Sequence, residues 1–170
     1  MVLILDVEKV LAEIMDKSDE EVYAGVSESP VTKGKHALVA DDSLVARKQI
    51  VKTLERLGMT ADQVTTGKEA WERMQYWADV AHEQGKTFND LVQIILTDIE
   101  MPEMDGFSLV KHIREDSRFG QIPIVMHSSL SGSCNVDKGR SVGVTDYVTK
   151  FDAKHLRETI VKIFQGQSNA

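Results

Sequence analysis

From residue 36 onward, short apolar runs alternate with longer stretches whose apolar positions recur every three or four residues. The first pattern predicts buried strands and the second predicts helices. HALVA (36–40), LVQIILT (91–97), IPIVMHS (122–128) and VTDYVTK (144–150) read as strands, with a weaker one near 61–64. Leu44, Ile50, Val51, Leu54 and Leu57 predict a helix capped by Ser43 and ended by Gly58. Trp71, Met74, Trp77, Ala78 and Ala81 predict a second, begun by Thr66 and broken by HEQGKTFND (82–90). A short helix is expected at 108–116, and a last one over 153–164 with Leu156, Ile160, Ile163 and Phe164 on one face. Residues 129–143 carry three glycines and no clean stripe, which predicts a short or mobile helix. Ahead of all this, Val7, Val10, Leu11, Ile14 and Met15 give residues 6–17 the spacing of an amphipathic helix with Asp6 as N-cap, and the polar stretch 18–35 reads as a linker.

Five strands alternating with helices imply right-handed crossovers and a doubly wound, mostly parallel α/β sheet covered on both faces. Ligands of such sheets bind beyond the carboxyl ends of the strands, where strand order reverses. No internal repeat is present.

Length and charge narrow the partners. The 170 residues fit one domain plus an extension, and the balance of 20 − 27 = −7 argues against nucleic acid, which demands clustered Lys and Arg. One cysteine, Cys134, excludes an internal disulfide and suits a reducing compartment. No apolar run approaches the ~20 residues of a membrane helix. The opening MVLIL is too short for a signal-peptide core and is followed by acids, so cytoplasm is expected.

The candidate chemistry stands at the strand ends. Asp41 and Asp42 follow the first strand, Asp98 ends the third, Ser128 the fourth and Lys150 the fifth. In a parallel sheet all five meet at one edge. Three carboxylates that close repel, and one takes up a proton unless a cation intervenes. All-oxygen ligands favour a hard ion, and Mg²⁺ suits them because it keeps waters for an incoming phosphoryl oxygen. An aspartate beside Mg²⁺ is a nucleophile towards phosphorus, with the lysine and hydroxyl orienting the transferred oxygens.

LVADDS (38–43), LTDIEMPEMDGF (96–107), IPIVMHSS (122–129) and DYVTKF (146–151), in this order, resemble a response-regulator receiver domain over residues 36–165, with a tail at 166–170. The resemblance implies a flavodoxin-like five-stranded sheet of order 2-1-3-4-5. It implies that Asp98 accepts phosphoryl from the phosphohistidine of a kinase, and that the domain catalyses only its own phosphorylation and dephosphorylation. It implies Mg²⁺ bound by Asp41, Asp42, Asp98 and the backbone carbonyl of Glu100, with Asp42 as the direct ligand, and Ser128 and Tyr147 as switch residues. LILDVEKVLAEI at the start resembles the end of a CheW-like coupling domain, and DIEMPEMDG with KFDA resembles the receiver half of CheV-type chemotaxis proteins. That narrower likeness implies a CheA-like kinase and a chemoreceptor signalling complex as partners, without membrane insertion. A whole coupling domain does not fit before His36, so a fragment is expected, with residues 1–17 as its remnant. The stripe on that first helix docks on a missing domain or a partner, folds back on the receiver, or drives dimerisation.

Some positions keep two readings. Lys150 is followed by Phe151 where many receivers have proline, so the peptide is expected trans, or cis under strain. Glu100 either influences phosphoryl lifetime or is a solvated loop acid. The Ser128 hydroxyl is alternatively satisfied by backbone, and Tyr147 is alternatively a half-buried strand aromatic. The five histidines show no metal spacing, and His127, on the other face of its strand from Ser128, reads as packed or exposed. Asp105-Gly106 is a turn signal. A phosphate sink for the kinase, or an aspartyl-phosphate hydrolase of free phosphoesters, are the alternative functions.

Overall fold

The computed structural model describes Tyr23, residues 25–128 and residues 133–168, the side chains of 133–136 and 168 excepted. The helix expected at 6–17, and Ser129 beside the fourth strand, lie outside these residues. The chain runs β1 (His36–Ala40), α1 (Leu44–Arg56), β2 (Thr60–Val64), α2 (Gly67–Glu83), α3 (Phe88–Leu91), β3 (Ile94–Asp98), α4 (Gly106–Glu115), β4 (Ile124–Ser128), α5 (Ser133–Val142), β5 (Asp146–Thr149) and α6 (Ala153–Ser168). The strands form one sheet in the order β2-β1-β3-β4-β5, every neighbouring pair parallel. This is the doubly wound sheet that the alternation implied.

Alternation along each strand sorts the core into two layers. Leu38, Ala40, Ile95, Ile124 and Met126 pack with Met74 and Ala78 of α2 and with Leu109, Val110 and Ile113 of α4. Ala37, Val39, Ile94, Leu96, Val125 and Val148 pack with Ile50 and Leu54 of α1 and with Leu156, Ile160 and Phe164 of α6. Both faces are dry, which is why the strands read as unbroken apolar runs.

The helix starts follow local chemistry. Ser43 Oγ accepts from the Ala46 N–H and Thr66 Oγ1 from that of Glu69. Asp105, read only as a turn residue, caps α4 by accepting from Ser108 N–H at 2.7 Å. The four-residue α3 was hidden in the expected breaker, although Thr87 and Asp90 form a capping box there and Phe88 is buried against Phe119. Leu44, placed on the apolar stripe of α1, is exposed, because at 100° per residue it lies off the buried face of Ala46, Ile50, Thr53 and Leu54.

Ahead of β1, the described part of the segment read as a linker makes specific contacts with the core. Tyr23 and Val26 are buried against the α1–α6 layer, and Lys52 and Arg56 of α1 lie over the Tyr23 ring at 5.3 and 4.6 Å. Thr32 Oγ1 donates to the Leu57 carbonyl at 2.7 Å, and Gly34 N–H donates to the Gly58 carbonyl at 2.9 Å. A polar average over residues 18–35 concealed well-placed anchors.

Behind β3 the chain closes on itself tightly. Gly106 N–H donates to the Ile99 carbonyl at 2.8 Å, and a Cβ on Gly106 would overlap the Asp98 carbonyl oxygen. Gly106→Ala is therefore expected to lower stability by ~2–3 kcal/mol, the scale of overpacking against backbone, as measured by urea denaturation.

Candidate functional site

The parity that sorts the core also builds the site. On the α1–α6 face the series Ala37, Val39 in β1 continues to Asp41, and Leu96 in β3 to Asp98. Val125 in β4 continues to His127, and Val148 in β5 to Lys150. Asp98 pairs in register with His127, and His127 with Val148. Four polar side chains thus crown one apolar face at the carboxyl edge of the three central strands and β5.

Lys150 Nζ donates to Asp98 Oδ2 at 3.0 Å and lies 3.3 Å from Asp41 Oδ2. Asp98 Oδ1 accepts from Ile99 N–H at 2.7 Å. Asp41, fully buried, accepts from Ser43 N–H at Oδ1 and is met by His127 Nε2 at Oδ2, both at 2.8 Å. Arg47 Nη1 donates to the Asp41 backbone carbonyl at 2.8 Å.

This packing pushes the two carboxyls apart in proton affinity. Burial raises the pKa of Asp98, and the Asp41 charge adds to that against the opposing pull of Lys150. Burial also acts upward on Asp41, but hydrogen bonds from His127 and Ser43 and the charge of Lys150 outweigh it and hold Asp41 below its ordinary value. Asp41 is therefore the ionised acceptor, and the His127 imidazole must be the donor across their 2.8 Å contact. Lys150 loses solvation, yet its bonds to Asp98 and Asp41 raise its pKa and keep it charged.

The remaining expected residues lie around this group. Ser128 ends β4 on the opposite parity and is half-buried; Tyr147 is half-buried with its ring over Gly139 of α5, where an added Cβ would stand 2.5 Å from Cε2. Asp42 and Glu100 are exposed. Among the described residues, the metal-capable set with ligand atoms within 4.8 Å of one another is Asp41, Asp98 and His127, and Asp42 stands outside it. His127, 2% exposed, is the site residue that sequence reading missed. Alternation from Val125 put it on an apolar face, but its place beside Asp98 comes from the strand register, which the sequence does not state. The Lys150–Phe151 peptide is trans, and Phe151 takes a left-handed φ of 64° while the ammonium stays on Asp98. The peptide is thus the expected trans form, and the departure from ordinary backbone falls one residue later, on Phe151.

Residues 37–161 match the response regulator receiver domain model. The chain belongs to that family. The receiver is 38% identical over 125 residues to the chemotaxis protein CheY1 of Helicobacter pylori, covering 72% of this chain and 91% of that one. It is 28% identical over 161 residues to chemotaxis protein CheV3 of the same organism, covering 95% of this chain and 50% of that protein. The chain therefore spans about half the length of this CheV relative. The receiver domain of the histidine kinase CKI1 from Arabidopsis thaliana, solved in complex with Mg²⁺, superposes with a TM-score of 0.71 at 28% identity, covering 80% of this chain and 96% of that one. The donor set here fits such an ion: Asp41 and Asp98 bring carboxylate oxygens within 4.8 Å of each other, and the single ammonium of Lys150 leaves the pair net negative for a hard cation to meet.

The Asp98 shift has a stability consequence. Its folded pKa lies above the unfolded value, so the stability it contributes is full below the ordinary carboxyl pKa of 3.8 and is lost as pH rises through the folded value. Asp98→Asn is expected to be more stable than wild type at pH 7 by on the order of 1–2 kcal/mol, the scale of relieving a strained functional site. The gap is expected to close in acid, checked by thermal denaturation from pH 7 to pH 3.

Proposed function

We propose that this receiver is the phosphoacceptor part of a CheV-type chemotaxis protein, acting in the cytoplasm. In this reading a CheA-like histidine kinase donates phosphoryl to Asp98. The observation that carries it is the bridge of Lys150 between Asp98 and the buried Asp41.

An Asp98 carboxylate oxygen attacks phosphorus; the new O–P bond forms as the P–N bond to the donor imidazole breaks, and the imidazole leaves with the electron pair. The Lys150 ammonium, already on Asp98 Oδ2, passes to an oxygen of the incoming group and neutralises the charge that develops there. Ile99 N–H holds the other carboxylate oxygen in place through the transfer. Asp41 and Asp98, with Asp42 and the Glu100 carbonyl that the receiver pattern adds, would hold Mg²⁺, which when bound supplies electrostatic neutralisation of the phosphoryl oxygens. The Asp98 modification then adds charge at the sheet edge, and Ser128 and Tyr147 carry the change to α5 and α6. In the longer protein this would tune how the coupling domain links receptors to the kinase.

Phosphotransfer from a phosphorylated histidine kinase, or from acetyl phosphate, tests the reading. One phosphoryl per chain is expected in wild type with Mg²⁺, none in Asp98→Asn, and a drop of at least 100-fold in rate without Mg²⁺ or in Lys150→Ala. Labelling retained in Asp98→Asn, or turnover of a small phosphoester far past one equivalent, would overturn it.

A further inference from the structure

We propose that His127 is a positioning residue for the cation site: it fixes the Asp41 carboxylate in one orientation and thereby sets the affinity for Mg²⁺. This rests on the Mg²⁺ reading above. A carboxylate offers about four lone-pair directions. On Asp41, His127 and Lys150 share Oδ2, and Ser43 N–H takes one direction on Oδ1. Among the described residues these contacts leave one direction on Oδ1 open and keep the group from rotating to offer another. Arg47 holds the backbone of the same residue.

His127 itself has nowhere to go. It is 2% exposed and in register between Asp98 and Val148. On its helix side, Ile50, Leu96, Val148 and Leu156 border with it a cavity of about 10 Å³, room for no more than one water. A ring so confined transmits the rigidity of β4 to a carboxylate beyond the end of β1. Groups that orient a metal-binding side chain in this way typically change metal affinity by about 10–100-fold when removed.

Isothermal titration of Mg²⁺ into the intact chain, free of phosphodonor, tests the proposal. His127→Leu, of similar volume but without a donor, is expected to weaken binding at least 10-fold, and His127→Gln, which keeps an N–H, to recover most of it. The comparison of Asp41→Asn with Asp41→Asn/His127→Leu leaves no buried carboxylate unpaired, so it stays informative if His127→Leu folds poorly. If His127 acts through Asp41, those two bind Mg²⁺ equally. Affinity of His127→Leu within twofold of wild type, or the same loss in the Asp41→Asn background, would overturn the inference alone. A wild-type chain with no saturable Mg²⁺ binding would overturn the metal reading and this inference together.

Discussion

The ammonium of Lys150 holds two buried carboxylates in one pocket, and the carboxyl edge of the sheet is arranged around that contact. Asp41 and Asp98 cannot both be ionised in a dry site without a positive charge between them. Lys150 supplies it from the far side of β4, so β1, β3 and β5 are drawn together at one end by charge as they are along their length by apolar packing. In the phosphoacceptor role proposed for Asp98 the same contact serves again, because a counter-ion that serves two carboxylates can be lent to a third anion.

The fold was legible because the apolar runs are long and the punctuation is clear. Each of Asp41, Asp98 and Lys150 interrupts such a run at its end, and a parallel sheet gathers strand ends by necessity. His127 was not legible by the same route. Its neighbour in sequence is Ser128, whereas its neighbours in space are Asp98 and Val148. Single-strand alternation states which face a residue shares with others on its strand, but only register states which residues of the next strand lie beside it. Asp42 illustrates the converse: adjacent to Asp41 in sequence, it falls outside the buried set because successive residues diverge at the strand end.

The junction after Lys150 and the approach to β1 were obscured for a different reason, since both depend on contacts distant in sequence. Phe151 accepts a left-handed backbone although nothing local favours it, because Lys150 N–H is held by the Ser128 carbonyl at 2.8 Å while its side chain reaches Asp98. Ahead of β1, a stretch polar by composition is seated by three buried anchors, Tyr23, Val26 and Thr32.

The seat of Tyr23 has a geometric consequence. Lys52 and Arg56, which flank its ring, belong to the last turns of α1, whereas Ser43 at the opposite terminus of that helix lies beside Asp41. The helix between them is about 20 Å long at 1.5 Å per residue. The Tyr23 ring thus sits at the end of α1 remote from the Asp41–Asp98 pocket.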